Sequence, residues 1–474
     1  MMRTLFLNPP SFAGFDGGAG SRYQAKREIR SFWYPTWLAQ PAALVTESRL
    51  IDAPPRGLSL QEILPLATDY ELAILHTSTP SFASDIKVAG ALKQANPKLV
   101  IGLIGAHVAV LPEASLTASA AIDFVARNEF DYTIQEVAEG RPWERIDGIS
   151  YRRDGQLVHN RDRAILEDMD RLPSVIDVYK RDLCVEDYFI GYLLHPYLSL
   201  YTGRGCRSHC TFCLWPQTIG GHRYRTRSPE VVAQEIATAR RYFPQVKEFF
   251  FDDDTFTDDP GRAEAIARLL GNLGGTWSCN AKANVRSETL KVLKDNGLRL
   301  LLVGYETGSE QILVNIKKGV RIDVARRFTA DCHKLGITIH GTFVLGLPGE
   351  TRETIQETIR FAREINPHTL QVSLAAAYPG TALYRQASEQ GWLRQVPDSL
   401  VTGDGIQVSS LEYPHLSHRE IFEALETFYR RFYFRPRKIG EISWEMVKSW
   451  EMMKRRLREG VEFVRFLGAR QDGA

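Results

Sequence analysis

Cys206, Cys210 and Cys213 stand within eight residues of one another in the stretch GCRSHCTFCLWPQ (205–217), so half of the six cysteines share one loop. Three thiolates on one loop suit three irons of a cubane 4Fe–4S cluster, and they leave the fourth iron open to another ligand. Zinc and incidental thiols are the alternatives. Zinc prefers four ligands in C-x2-C pairs, and His209 serves as a fourth only awkwardly from inside the same tight loop. Cys184, Cys279 and Cys332 are scattered and read as buried structural thiols.

An open iron needs a dry, rigid frame, and the elements around the loop provide one. The stretch YLSLYTGRG, just before the cysteines, begins an alternation of strands and helices. Strands are expected at 246–251, 276–280, 299–305, 338–345 and 369–375, and helices at 228–242, 260–270, 287–296, 321–335 and 351–365. With the strand before the cysteines this makes six β/α units, part of a parallel barrel, with the cysteine loop at a strand's carboxyl end. Ahead of it, near-continuous apolar strands at 4–8, 48–52, 70–76, 98–105 and 121–127, with a helix at 84–96, indicate a doubly wound parallel sheet. The expected organisation is a doubly wound domain over 1–140, a connector over 141–195 with a hairpin turning at Asp154–Gly155, a partial barrel over 196–385 and a helical region over 386–474.

Bulk properties exclude several classes. At 474 residues, 44% hydrophobic and 24% charged, the chain is an ordinary folded protein of two or three domains. A formal charge of +2 gives no attraction to nucleic acid. The start lacks a signal peptide, no run reaches the roughly 18 apolar residues that span a bilayer, and free thiols suit a reducing interior, so a cytoplasmic protein is expected. The tail alternates aromatic residues with cations (Phe428, Tyr429, Arg430, Arg431, Phe432, Tyr433, then Lys454, Arg455, Arg456 and Arg458), a stripe suited either to peripheral contact with an anionic membrane or to a core. The run FAGFDGGAGSRYQAKREIRSFWYPTW (12–37) reads as a loop or a lid.

The spacing C-x3-C-x-aromatic-C after the first strand of a β/α repeat resembles the radical S-adenosylmethionine (radical SAM) superfamily. The resemblance implies a 4Fe–4S cluster on Cys206, Cys210 and Cys213, with S-adenosylmethionine on the open iron as the source of a 5′-deoxyadenosyl radical. It extends over about residues 195–385 and nominates Phe212 beside the cluster. Asp253 and Asp254 in FFFDDDTFTDD would take the methionine amino group, or cap the following helix. Lys282 and Arg286 would take its carboxylate, Glu306 in VGYETGSEQIL the ribose, and Gly346 in GTFVLGLPGET the adenine.

A doubly wound domain ahead of such a barrel resembles the cobalamin-binding class of the superfamily. DAPPRG (52–57) has that class's D-x-H-x-x-G spacing, with Pro54 where a cobalt-ligating histidine would stand, so a bound cobalamin has no lower ligand from this position. Gly105 and His107 in LIGAHVAVLPE, Glu129 in RNEFDYTI, where Asn128 replaces the usual glycine, and Thr77 and Ser78 are the corresponding corrin contacts. The stretch from FLNPPSF to QPAAL (6–44), together with the cysteine loop, resembles the hopanoid-biosynthesis radical SAM proteins of the bacteriohopanetetrol cyclitol ether branch. That implies ring contraction of an amino-sugar headgroup on a hopanoid lipid, an electron donor such as flavodoxin or ferredoxin, and contact with the inner membrane face. A cobalamin-dependent radical methyltransferase and a non-catalytic iron–sulfur electron carrier are the competing expectations.

Overall fold

A computed structural model describes the chain except residues 11, 13–24, 395–399, 403–404, 449 and 472–474; the glycine-rich part of the expected lid lies outside the described residues. Two sheets carry the fold. In the first, β1 (Thr4–Asn8), β2 (Ser48–Asp52), β3 (Leu72–His76), β4 (Val100–Ile104) and β5 (Phe124–Ala126) are parallel, in the order β2-β1-β3-β4-β5. Both faces are buried, which is why the strands are apolar without alternation: Leu5 and Leu7 face one core and Phe6 the other. The order reverses between β1 and β3, the crevice where doubly wound folds bind ligands.

The hairpin expected within the connector belongs to this sheet. β6 (Ile149–Arg153) pairs antiparallel with β5, and β7 (Gln156–His159) pairs with β6, giving seven strands. Asp154 and Gly155 both take positive φ, +49° and +78°, the two-residue turn that the Asp–Gly pair signals.

The second sheet is a six-stranded open barrel of β8 (Tyr197–Leu200), β11 (Glu248–Phe251), β12 (Thr276–Lys282), β13 (Leu298–Glu306), β14 (Thr338–Leu345) and β15 (Thr369–Leu374), all parallel and in chain order. A two-stranded ribbon, β9 (Gly203–Arg204) with β10 (Arg225–Thr226), closes the base of the cysteine loop. β15 is an edge, and side chains cover its exposed amides: Tyr433 Oη accepts from Leu370 N (3.0 Å), Tyr429 Oη from Val372 N (2.9 Å) and Gln407 Oε1 from Leu374 N (2.9 Å).

Those tyrosines lie on the helix His418–Tyr433, where Phe428, Tyr429 and Phe432 are buried. The aromatic stripe of this helix is therefore core and not a membrane face. The tail cations Arg455, Arg456 and Arg458 pair with Glu459, Glu445 and Glu462. Among the described residues, no helix is long and apolar enough to cross a membrane.

Between the sheets lies the helix Thr36–Leu44, buried on all sides over Thr36–Ala42. Trp37 stacks on Trp215 just beyond the cysteines (5.6 Å between ring centres) and takes the Arg204 guanidinium on a face.

Candidate active site

The cysteine loop leaves β9 through Gly205, at φ +86°, where a Cβ would lie 2.1 Å from the Arg223 carbonyl. Cys206 N donates to Gly221 O (3.3 Å) and Cys213 N to Cys210 O (3.2 Å). Gln217, one turn later, donates through Nε2 to the Cys210, Thr211 and Cys213 carbonyls and accepts Ala382 N on Oε1 (2.8 Å). One amide thus ties the loop to itself and to the segment after β15. Cys206 and Cys210 are buried, Cys213 and Phe212 partly so. His209, the awkward fourth zinc ligand, stacks on His222 instead (4.1 Å).

Around the loop the barrel rim places a second ring of groups. Asp254 Oδ2 accepts from Gly205 N (2.9 Å), and Thr255 Oγ1 lies 3.6 Å from Cys206 Sγ. Asp253, expected beside Asp254 as a ligand for an amino group, is wholly buried and already used. It accepts from Thr202 N, Thr202 Oγ1 (2.6 Å) and Tyr224 Oη (2.8 Å). Its role is to tie β8, the β10 approach and the end of β11 together, so only Asp254 of the pair faces the loop. Lys282 Nζ donates to Asp258 Oδ1 (3.1 Å), and with Arg286 and Thr255 it lines a cavity of about 300 Å³ next to Cys206.

Glu306 ends β13 with φ +64°, a left-handed conformation rare outside glycine, at a register shift against β14. Its carboxylate accepts from Lys318 Nζ (2.6 Å), and both groups are buried. A Cβ on Gly304 would lie 2.4 Å from Glu306 Oε1 and 2.8 Å from Lys318 Nζ, so the pair occupies the space that this glycine leaves. Burial pushes the Cys210 thiol up, while Lys318 nearby pulls it down. For Lys318 itself burial opposes the charge, but Glu306 and then Cys210 outweigh it and hold the ammonium above its ordinary value. Sequence reasoning nominated Glu306 and missed Lys318, because a lysine in NIKKGV carries no signal of burial.

Gly346 ends β14 at φ +83°; its amide donates to Glu350 Oε2 and its carbonyl accepts from Tyr413 Oη (2.8 Å). Glu350 was also missed. It is fully buried, its Oε1 has no partner among the described residues, and burial pushes its carboxyl up from 4.5 to about 8, against the amides of Gly346 and Leu347. A carboxyl raised on folding stays protonated while the unfolded chain ionises, so stability falls as pH rises from about 4.5 to about 8. Glu350→Gln is expected to remove that limb: the denaturant midpoint should drop less between pH 5.5 and pH 8 than in the wild type. Identical drops in both proteins would refute the buried neutral carboxyl.

The corrin candidates lie at the carboxyl ends of β3, β4 and β5, and most are otherwise engaged. Ser78 Oγ bonds Ser81 Oγ (2.9 Å), and the Thr77 hydroxyl reaches the Ser78 carbonyl (3.5 Å) and the Asp85 carboxyl. The His107 ring stacks on Phe82 (4.3 Å) with Nδ1 on Thr79 Oγ1 (3.2 Å). Glu129 is unavailable: Arg225 grips both of its oxygens and Leu166 N donates to Oε2 (2.9 Å). One observation does fit a ligand that offers amides, and a second explains a glycine beside it. His76 is buried, with Nε2 unpartnered among the described residues, and burial lowers its pKa to about 3. Gly105, at φ +123°, has its backbone against Thr77 O, where a Cβ would be 2.2 Å away. Pro54 is buried in a short helix and, having no metal-binding atom on its side chain, offers no lower ligand. This edge also meets the cysteine loop: the helix Ala106–Val110 packs on the π-turn Pro216–Gly220, and Val110 touches Gly380 beyond β15.

Residues 200–362 match the Radical SAM superfamily. An uncharacterized methyltransferase of Pyrococcus horikoshii is 28% identical over 456 residues, 92% of this chain and 94% of its own. Bacteriochlorophyllide d C-8(2)-methyltransferase of Chlorobaculum tepidum is 24% identical over 68% of this chain and 69% of its own. Among solved structures, the cobalamin-dependent S-adenosylmethionine radical enzyme OxsB superposes with a TM-score of 0.69 at 14% identity, covering 97% of this chain and 72% of its own. The radical S-adenosylmethionine methyltransferase TsrM from Kitasatospora setae gives 0.63 at 16%, covering 84% and 80%. None of these relatives supports a hopanoid-specific assignment. Residues 200–362, with the open barrel and its cysteine-bearing first loop, thus match the Radical SAM superfamily, which implies a 4Fe–4S cluster and S-adenosylmethionine as cofactors, and the two-sheet fold is similar to those of OxsB and TsrM.

Proposed function

We propose that the protein is a cobalamin-dependent radical SAM methyltransferase acting on a carbon of a small-molecule substrate. The observation that carries this reading is the packing of the first sheet's carboxyl edge on the exit of the cysteine loop, which would face a corrin on that edge towards a cluster in the loop. Similarity to a methyltransferase along nearly the whole chain supports it. In this reading the first sheet, with its hairpin, is the cobalamin domain, and residues 196–385 are the radical domain.

Cys206, Cys210 and Cys213 would hold the cluster. Asp254, Lys282, Arg286, Glu306 and Gly346 would hold S-adenosylmethionine, and His76 and Gly105 would meet the corrin. When bound, these groups supply a reductively formed 5′-deoxyadenosyl radical and a transferable methyl group. The chain's own contribution is position and exclusion of water: Gln217 fixes the loop, Lys318 holds Glu306 against the rim, and the helix Thr36–Leu44 seals the space between the sheets. Hopanoid ring contraction would use the same cluster, but no relative reported above favours it over methyl transfer.

The test is anaerobic reconstitution with iron and sulfide, with and without cobalamin, followed by reduction in the presence of S-adenosylmethionine. Wild type is expected to form 5′-deoxyadenosine and to retain cobalamin through gel filtration, whereas Cys206→Ala loses cluster iron and the cleavage. A protein that cleaves S-adenosylmethionine but never retains cobalamin would refute the methyltransferase reading. One that binds iron but never cleaves would be an electron carrier.

A further inference from the structure

A large cavity lies away from the cysteine loop. It measures about 930 Å³ and wraps around the amino-terminal ends of β14 and β15, walled by the Arg27–Ser31 segment and the three C-terminal helices. That places it near the top of the roughly 300–1,000 Å³ range of small-molecule pockets.

Two buried side-chain nitrogens lining it lack hydrogen-bond partners among the described residues. His340 is 4% exposed; its Nδ1 meets Thr369 Oγ1 (2.8 Å), its ring stacks on Tyr192 (4.1 Å), and Nε2 bonds to nothing. Gln371 is 5% exposed, and its Nε2 is likewise unpartnered. Buried polar groups are normally satisfied, so two orphans lining one cavity point to a ligand that supplies the missing hydrogen-bond partner. The outer walls are aromatic, with Tyr433, Trp444 and Phe463 prominent.

Charge narrows the ligand. Of the cations lining the cavity from the helix Pro436–Val447 and the one after it, Lys448 is exposed at the edge and the other three are matched by carboxylates. Lys438 has Glu441 (2.8 Å) and two carbonyls, Arg437 has Glu441 (3.1 Å), and Arg456 has Glu445 and Glu459 (2.7 Å each). None of these three is left over for a phosphate or carboxylate.

The cavity opens at the end of the barrel opposite the cysteine loop. His340 and Gln371 lie on the inner face, because the alternate residue Phe343 packs outward on Phe428. From His340 to Gly346 is six residues, about 20 Å of strand. The inward side chains above the cavity are Thr342 and Val344 on β14 and Ser373 on β15, with Leu302 and Phe250 facing the same interior from β13 and β11.

We propose that this cavity binds a neutral, largely apolar small molecule with a hydrogen-bonding group seated at His340 and Gln371.

The experiment is a Nile red fluorescence titration of the reconstituted full chain, with displacement by 1-hexadecanol and by hexadecyl phosphate. Saturable binding is expected, displaced by the alcohol in preference to the phosphate. Gly460→Trp, at a lining position where a Cβ meets nothing within 4 Å, should weaken Nile red about tenfold. Gln371→Leu should weaken the alcohol several-fold and spare Nile red. Absence of saturable binding, indifference to Gly460→Trp, or equal competition by the phosphate would each overturn the proposal. Because the dye reads binding without turnover, a protein that binds it but never cleaves S-adenosylmethionine would leave the cavity standing and sink only the enzymatic reading.

Discussion

Arg225→Leu is expected to lower the free energy of unfolding by about 3–5 kcal/mol, the cost of leaving a buried charge without its partner. Glu129 and Arg225 are both almost fully buried, and the pair joins the loop after β5 in the first sheet to β10 beside the second. Arg225 also donates to Leu166 O (2.6 Å) and Gly220 O (2.8 Å), so the leucine would orphan two carbonyls as well. The asymmetry between breaking and replacing a buried pair supplies the control. Glu129→Gln combined with Arg225→Leu should cost clearly less than Arg225→Leu alone, because no carboxylate is then stranded. Urea denaturation of the three proteins measures both quantities. A single-variant cost under about 1 kcal/mol would mean that water reaches the pair and that it behaves like a surface bridge.

Lys318→Met carries the second large effect, and it reaches the site directly. The substitution keeps the length of the side chain but strands Glu306, a carboxylate already held in left-handed backbone at the end of β13. A loss of about 3–5 kcal/mol is expected on the same grounds. The sharper readout is ligand affinity, because Lys318 is what fixes Glu306 at the rim. Equilibrium S-adenosylmethionine binding to the reconstituted protein should weaken by at least about tenfold, roughly 1.4 kcal/mol. Lys318→Arg should recover more of the binding than of the stability, since it restores the charge but overfills the space beside Gly304. Normal affinity in a folded Lys318→Met protein would show that Glu306 needs no such support.

Much of the frame was legible in the chain itself. Strands at 4–8, 48–52 and 338–345 run over the residues that their apolar runs mark, and the cysteine loop lies at a carboxyl end as the β/α alternation requires. The helix Thr36–Leu44 escaped because it is buried on every side and so has no amphipathic period to detect; Pro41 inside it argues against a helix as well. The hairpin's membership of the first sheet escaped because β5, its partner, is only three residues long. At the site, residues in local motifs could be nominated, but their engagement could not. Asp253 and Asp254 are indistinguishable in DDD, yet one is consumed by Thr202 and Tyr224 while the other faces Gly205. Lys318, Gln217 and His76 act through partners that are distant in sequence or missing altogether, and no spacing rule reports that.

The short ribbon β9–β10 has one more implication. It is the base of the cysteine loop, and its two arginines are sunk into the first sheet's last loop, Arg204 on Asp131 and Arg225 on Glu129. Whatever rests on that sheet and whatever rests in the loop are therefore aligned by folding, before either arrives. Such an alignment draws nothing from ligand binding, and ionic strength hardly loosens it because the pegs are dry. A chain built this way would be intolerant of insertions between residues 126 and 132 and tolerant of them at the hairpin tip, so the places where length can vary are set by the pegs.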